Sequence, residues 1–216
     1  MNIGVLGTGD VGKKLGTGFI SIGHHVMLGS RDPDNEKVKS WIAANGKNAS
    51  GGTFADAAKF GEVIVLATLW SGTENALRLA GPENFKGKTV IDATNPLVFK
   101  ENPPPALALG HTDSGGEQVQ RWLPGANVVK AFNIVGNALF IHPQFGECGP
   151  PDMFYCGNSN DAKKQVAGFL KQFGWADVDI GGIEGARLLE PMCILWVLYA
   201  LRASSWDHAF KLLRKS

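Results

Sequence analysis

Charge imbalance, disulfide spacing, metal-ligand clusters and membrane-length apolar runs are all missing from this chain, and each absence removes a class of function. Its 216 residues carry 21 Lys and Arg against 20 Asp and Glu, a net charge of +1. Neither nucleic acid nor an anionic membrane surface finds an electrostatic footprint there. The three cysteines, Cys148, Cys156 and Cys193, form no Cys-x-x-Cys pair. So sparse and odd a set fits a reducing cytoplasm better than a disulfide framework. The five histidines show no metal-ligand spacing. The longest strongly apolar stretch, residues 191–201, falls short of the roughly 20 residues that span a bilayer. No basic segment precedes the first apolar run, so no secretory signal is expected. The expected molecule is a single cytoplasmic domain over residues 1–216, with a dinucleotide-binding core over 1–135 and a sheet extension with C-terminal helices over 136–216.

What the chain has in quantity is glycine, 28 residues, and the most informative of them stand at the start. Gly7-Thr8-Gly9-Asp10-Val11-Gly12 follows the uncharged run of residues 1–6. Val11, Leu15, Gly18 and Ile22 then recur at helical spacing, which marks one buried face. Gly23 stops that helix and Val26-Met27-Leu28 begins a second apolar run. Strand, glycine turn, helix and strand within one short unit is the dinucleotide fingerprint. Gly7 permits the tight turn, Gly9 admits a phosphate to the backbone, and Gly12 and Gly16 let the helix lie close. The helix N-terminus offers N–H groups and partial positive charge to a pyrophosphate.

Cofactor choice is read at the end of the second strand. An NAD site places Asp or Glu there, about 20 residues on, for the ribose hydroxyls. This chain has Gly29-Ser30-Arg31. Ser30 can donate to a phosphate oxygen, and Arg31 offers a planar fork suited to a 2′-phosphate. The pair points to NADP. The competing reading makes Arg31 a solvated surface residue and Asp32 the ribose acceptor. Asp32 precedes Pro33, which suits a turn or a helix cap instead.

Further on, Val38, Trp41, Ile42 and Asn45 give a second helix, and residues 63–67 a short, continuously apolar strand of the kind a doubly covered parallel sheet requires. A helix through 73–79, strand 89–91, a proline-rich loop at 102–105, helix 117–122, strand 127–129, strand 153–156, helix 161–173 and strand 177–180 follow. This alternation predicts a Rossmann-like, doubly wound α/β fold with a mostly parallel sheet. The end differs. Leu188, Leu189, Met192, Ile194, Leu195, Trp196, Leu198 and Tyr199 put apolar groups all round a helix, so it is expected to be buried on most sides, with Pro191 kinking it. It either packs across the sheet or lies between two subunits, and a homodimer is the preferred reading.

In such sheets ligands lie outside the carboxyl ends of the strands. Three predicted strand ends carry distinctive residues: Ala67-Thr68-Leu69-Trp70, then Thr94-Asn95-Pro96 after Asp92-Ala93, then Lys130-Ala131-Phe132-Asn133. Small residues admit a ligand, and Thr94, Asn95 and Asn133 supply polar groups for ribose or carboxamide. Any one of these segments reads equally well as ordinary turn chemistry; the three together favour a nicotinamide pocket. Hydride transfer needs two carbons held close and water kept out, and an acid only if an alkoxide or amide forms. No Tyr-x-x-x-Lys pair is present. Tyr155 and Tyr199 read as core. Lys130 is either a proton donor or a surface lysine, and His111 either a lid residue or a solvated loop residue. No catalytic residue is assigned with certainty. The lack of an obvious acid favours an acceptor that needs none, such as a flavin or deazaflavin.

Taken together, Gly7 to Gly12, Gly29-Ser30-Arg31, Asp92 to Leu97, Lys130 to Asn133, Phe154-Tyr155-Cys156-Gly157-Asn158, and Gly181 through Arg187-Leu188-Leu189-Glu190-Pro191 resemble, in order, the NADPH-dependent coenzyme F420 reductases (F420H2:NADP oxidoreductases). They are also similar to the cytosolic reductase domain of the six-transmembrane metalloreductases. The resemblance implies a hydride shuttle between NADPH and a flavin-like small-molecule acceptor, F420, FMN or FAD. It implies a 2′-phosphate near Ser30 and Arg31, and a nicotinamide near Thr68, Asn95 and Ala131-Phe132-Asn133. The chain departs from F420-using relatives around residues 68–71 and 92–97, which leaves the acceptor open. The alternatives are an NADPH-dependent reductase of a small carbonyl or imine, and a non-catalytic NADP-binding module. Carbonyl and imine reductases of this type append a helical domain of about 100 residues or more, as separate domains do, whereas this chain has little beyond Ile180.

Overall fold

A computed structural model describes residues 1–216 apart from Pro33, Lys100, Asn102, Pro103 and Ser216. Ten strands and seven helices are built from its described residues. The first half runs β1 (Asn2–Leu6), α1 (Asp10–Ser21), β2 (His25–Ser30), α2 (Glu36–Asn45), β3 (Ala49–Thr53), α3 (Phe54–Phe60), β4 (Val63–Leu66), α4 (Trp70–Ala80) and β5 (Thr89–Asp92). The second half runs β6 (Leu97–Val98), β7 (Ala106–Leu107), α5 (Gly115–Trp122), β8 (Asn127–Lys130), β9 (Asp152–Gly157), α6 (Asn160–Gln172), β10 (Ala176–Asp179) and α7 (Ala186–Ala203).

Eight strands form one sheet in the order β10-β9-β8-β5-β4-β1-β2-β3. From β3 to β8 every pair is parallel. β9 runs antiparallel to β8, and β10 parallel to β9. The predicted Rossmann-like fold is therefore the observed one. The chain steps from β1 outward to β2 and β3, then crosses back to β4 on the other side of β1. That reversal is a topological switch point, where the loops on either side part to leave a crevice. β4 and β5 are buried at every position, because helices cover both sheet faces and leave no wet side for polar residues.

The uncharged runs become strands and the 3.6-residue repeats become helices, as expected. Two elements lacked that signal. β3 reads Ala-Ser-Gly-Gly-Thr, with no large apolar residue, and it is an edge strand against β2. Its glycines are enforced by packing, since a Cβ on Gly51 would lie 2.2 Å from Val38 Cγ1 and one on Gly52 would lie 2.9 Å from Asp56 Cβ. α3 starts at a capping box in which Asp56 N donates to Thr53 Oγ1 and Thr53 N to Asp56 Oδ2. The Thr-x-x-Asp spacing was its sequence signature.

Of the loop expected at 102–105, part lies outside the described residues; Pro104 and Pro105 are in no regular element, and a strand, β7, begins only at Ala106 and pairs antiparallel with β6. Two expectations are corrected. α7 is not buried on most sides. Leu189, Glu190, Cys193, Trp196 and Ala200 face inward, while Leu188, Leu195, Leu198 and Tyr199 are 69, 56, 44 and 55% exposed. The same numbers remove Tyr199 from the core; Tyr155 is buried there. Beyond α7 the chain returns over it, with Trp196 Nε1 donating to the His208 carbonyl and Asp152 N to the Phe210 carbonyl. Among the described residues no helix is long and apolar enough to cross a membrane.

Candidate active site

The glycine turn joins β1 to α1 at the centre of the sheet. Gly7 has φ +127°, and a Cβ there would lie 2.3 Å from the Ala67 carbonyl oxygen; only glycine takes that conformation at that approach. A Cβ on Gly12 would lie 2.2 Å from the Gly7 carbonyl oxygen, so α1 docks on the turn itself. Gly16 has a different role from the one expected, since its missing Cβ makes room for the Trp41 ring of α2 at 2.8 Å. Gly9 has open space where a Cβ would stand and is exposed with Asp10. No side chain caps α1, nor α4 or α7, whereas Asn35, Thr53, Ser114 and Ser159 cap α2, α3, α5 and α6. The turn therefore presents uncapped helix amides beside an open glycine, the arrangement that receives an anion.

At the neighbouring strand end, Ser30 is buried and Arg31 exposed. Ser30 Oγ accepts from Asp32 N at 3.3 Å and Asn35 Nδ2 at 3.5 Å, which leaves its own proton to donate. Asp32 closes a turn by accepting from Asp34 N at 3.0 Å, and Asn35 caps α2 instead. Of the roles weighed for Asp32, the turn is the observed one.

The three distinctive strand ends stand in one row. Ala67 N donates to the Leu6 carbonyl, Ala93 N to Leu66 and Ala131 N to Asp92, at 2.9–3.1 Å, so each loop is hooked to the strand beside it. Thr68 Oγ1 lies 2.9 Å from Thr73 Oγ1. Leu69 is 71% exposed as the residue before α4. Thr94 is bonded through both N and Oγ1 to Asp92 Oδ1. Buried Pro96 accepts from Ala108 N, tying the turn to the β6–β7 hairpin. Phe132 is buried with φ +64°, a left-handed conformation that costs a non-glycine residue about 1–3 kcal/mol.

Asn95 and Asn133 clamp each other. Asn95 Nδ2 donates to the Asn133 carbonyl at 2.8 Å, and Asn133 Nδ2 donates to Asn95 Oδ1 at 2.9 Å and to the Leu189 carbonyl at 3.0 Å. Those two oxygen partners fix the Asn133 amide, since turning it over would set oxygen against oxygen. Its Oδ1 is then a buried acceptor with no protein donor. Such an atom costs about 1–3 kcal/mol if left unmet, and it stands in the loop where a carboxamide donor was expected.

Lys130 is neither a surface lysine nor an available acid. It is fully buried, donates to Asp92 Oδ2 at 2.9 Å and to the Thr94 carbonyl at 2.7 Å, and pairs with Glu190 Oε1 at 2.9 Å. Burial pulls its pKa down, but the Asp92 and Glu190 charges outweigh burial and hold it above the ordinary lysine range. Glu190 also accepts from Gly115 N and Gly116 N, both at 3.0 Å, so its carboxylate closes the N-terminus of α5. Burial likewise pushes the Cys156 and Cys193 thiols up, to about 12 and about 11. Asp92 and Glu190 were not read as a cluster with Lys130 in the sequence. His111 is exposed before α5. A groove of about 590 Å³ lined by Gln120, Arg121, Asn127, Asn158 and Ser159 lies at the start of β8, the opposite sheet edge, and takes no part in this row.

The first 96 residues match a family model over positions 2–96, described as NADP oxidoreductase, coenzyme F420-dependent. The F420-dependent NADP reductase of Methanothermobacter marburgensis is 30% identical over 91% of this chain and 91% of its own length. The chain belongs to the coenzyme F420-dependent NADP oxidoreductase family. A candidate F420-dependent NADP-reductase from Arthrobacter sp. FB24 has a crystal structure that superposes with TM-score 0.91 at 35% identity, covering 98% of this chain and 99% of that one. Rat metalloreductase STEAP3 is 30% identical over 88% of this chain but only 36% of its own length. This F420-reductase-family chain thus spans little more than a third of that relative.

Proposed function

We propose that the chain binds NADPH along the carboxyl edge of the sheet and passes hydride directly to a flavin-like ring, coenzyme F420 or a flavin. The observation that carries the cofactor pose is the glycine turn at the start of α1, with Gly9 open and the helix amides uncapped, in line with the Asn95–Asn133 clamp at the strand ends. Gly7, Thr8, Gly9, Asp10, Val11 and Gly12 then take the pyrophosphate, and Ser30 and Arg31 the 2′-phosphate. Ala67, Thr68, Leu69, Thr94, Asn95, Pro96, Ala131, Phe132 and Asn133 line the nicotinamide. Bound NADPH supplies the hydride. The protein's part is to orient the ring and exclude water. The Asn95–Asn133 clamp holds the two loops that orient the ring, and Phe132 anchors its loop in the core against Phe140.

The burial of Lys130 supports this acceptor class, since its ammonium donates to Asp92 and the Thr94 carbonyl and pairs with Glu190 inside the protein. A proton donor that the sequence offered is thereby withdrawn, which suits an acceptor ring that needs no protein acid. The exposed face of α7, with Leu188, Leu195, Leu198 and Tyr199, supports a homodimer, and the three free cysteines are consistent with a cytoplasmic setting for one domain spanning 1–216.

The test is loss of NADPH absorbance with F420, FMN, FAD, a panel of carbonyls and imines, or no acceptor. Turnover with a flavin-like acceptor is expected. Turnover confined to carbonyls or imines would replace this reading with the small-substrate one, and tight NADPH binding without any turnover would leave a binding module.

A further inference from the structure

Beneath the row of strand-end loops lies a buried charge that the hydride-transfer reading leaves unused. One ammonium, Lys130, sits between two carboxylates, Asp92 and Glu190, and all three side chains are at most 1% exposed. Every contact of the carboxylates is one in which oxygen accepts. Asp92 Oδ1 takes Thr94 N and Oγ1, and Oδ2 takes Lys130. Glu190 Oε1 takes Gly116 N and Lys130, and Oε2 takes Gly115 N. Two carboxyl groups thus face a single ammonium, a formal excess of one negative charge. The neighbouring walls do not cancel it, because the Cys156 and Cys193 thiols beside it stay neutral, with their pKa values pushed up to about 12 and about 11 by burial. Glu117 and Arg187, the next charges on α5 and α7, pair with each other at 2.8 Å. Only the N-terminal dipole of α5 offsets the excess, with an effective charge of about one half.

This charge adjoins the loops assigned to the nicotinamide. Lys130 and Asp92 hold Thr94 through its carbonyl, N and hydroxyl. Ala131, Phe132 and Asn133 follow Lys130 directly, and Asn133 is tied to Leu189, the residue before Glu190. The nicotinamide gains a positive charge when it gives up hydride, and a buried negative charge favours that product, since low-dielectric surroundings screen it weakly.

We propose that the Asp92–Lys130–Glu190 cluster is an electrostatic positioning device that binds NADP+ in preference to NADPH and so makes bound NADPH the stronger hydride donor. The inference rests on the proposed nicotinamide site. It concerns the balance of the bound pair, the relative affinity for the two cofactor forms, and leaves the overall equilibrium with the acceptor unchanged. Asp92 and Glu190 act through the field and through Thr94, without touching the reacting atoms.

The experiment measures dissociation constants of NADP+ and NADPH for the full chain, Glu190→Gln, Asp92→Asn and Glu190→Asp, with thermal melts confirming the fold. Glu190→Gln removes the excess charge and should weaken NADP+ selectively, lowering the preference for NADP+ over NADPH by about three- to tenfold, the size of one charge acting through a partly screened protein interior. Glu190→Asp keeps the charge and should retain the wild-type ratio even if its melting point falls. Asp92→Asn carries the same reading where Glu190→Gln fails to fold. Equal weakening of both cofactor forms, or a ratio moved as far by Asp as by Gln, overturns the proposal. Failure of the wild-type chain to bind either cofactor form would instead strike the nicotinamide site itself.

Discussion

Replacing Lys130 by Met tests whether the sheet edge is organised by a buried charge cluster. Methionine fills much the same volume but donates nothing. Asp92 Oδ2, Glu190 Oε1 and the Thr94 carbonyl then lose their shared donor inside a region with no exposed surface. Removing one member of a fully buried ion pair costs about 3–5 kcal/mol, because the remaining charge is stranded. In a chain of this size each kcal/mol moves the melting temperature by roughly 2–4 °C. Lys130→Met should therefore melt about 6–20 °C lower, a fall easily read by scanning fluorimetry. The control is Lys164→Met, whose partner Asp161 lies 4.0 Å away with both side chains 80% exposed or more; exposed pairs of this kind contribute little, and its melting point should not move. Neutralising the whole cluster with Asp92→Asn and Glu190→Gln added to Lys130→Met should recover part of the loss. A fall of less than about 2 °C for Lys130→Met alone would refute the reasoning and return Lys130 to the surface-lysine reading.

Four further outcomes are expected. Arg31→Glu should weaken NADPH far more than NADH, by the about 1.5–3 kcal/mol of a charge-assisted bond to phosphate; titration calorimetry with both cofactors reads it, and an unchanged NADPH affinity would remove Arg31 from the site. Gly12→Ala should abolish NADPH binding with the fold largely retained, since its Cβ meets the Gly7 carbonyl oxygen at 2.2 Å and forces the phosphate turn open; binding at wild-type strength would show that the turn is not the anion site. Leu195→Asp, on the outward face of α7, should shift the protein from dimer to monomer in light scattering, and a wild-type monomer would dispose of the dimer. The Arg187 hydrogen bond holds Glu117 below its ordinary pKa. Its contribution is therefore complete above the unfolded carboxylate range and lost as pH falls through the folded value. Arg187→Met should flatten the acid limb of the melting-temperature profile below about pH 5, and a profile parallel to wild type would count against the pair.

Periodicity made most of the fold legible. Uncharged apolar runs such as 63–67 could only be strands covered on both sides, and glycine spacing at 7–12 fixed the first turn. What escaped were β3, where edge position and glycine packing replace hydrophobicity, and α3, whose capping box is a two-residue signal in a short helix. The site divided in the same way. The three strand ends were legible because topology brings successive parallel strands to one edge. The Lys130 cluster was not, because Asp92 lies 38 residues away in sequence and Glu190 arrives on α7, which no local pattern relates to β8. The outward face of α7 shows where a sequence pattern stops. A helix apolar all round looks buried in sequence, but the pattern does not say whether its second partner is its own sheet or another copy, and within one chain only one side is covered.

The most direct test of the central claim follows the hydrogen. NADPH labelled with deuterium at its transferring carbon, mixed with excess protein and F420 in a single turnover, should reduce the acceptor more slowly than unlabelled NADPH and leave deuterium in the reduced ring. Reduction of F420 with no isotope effect and all label lost to water would contradict direct transfer between two rings stacked at the edge of this sheet.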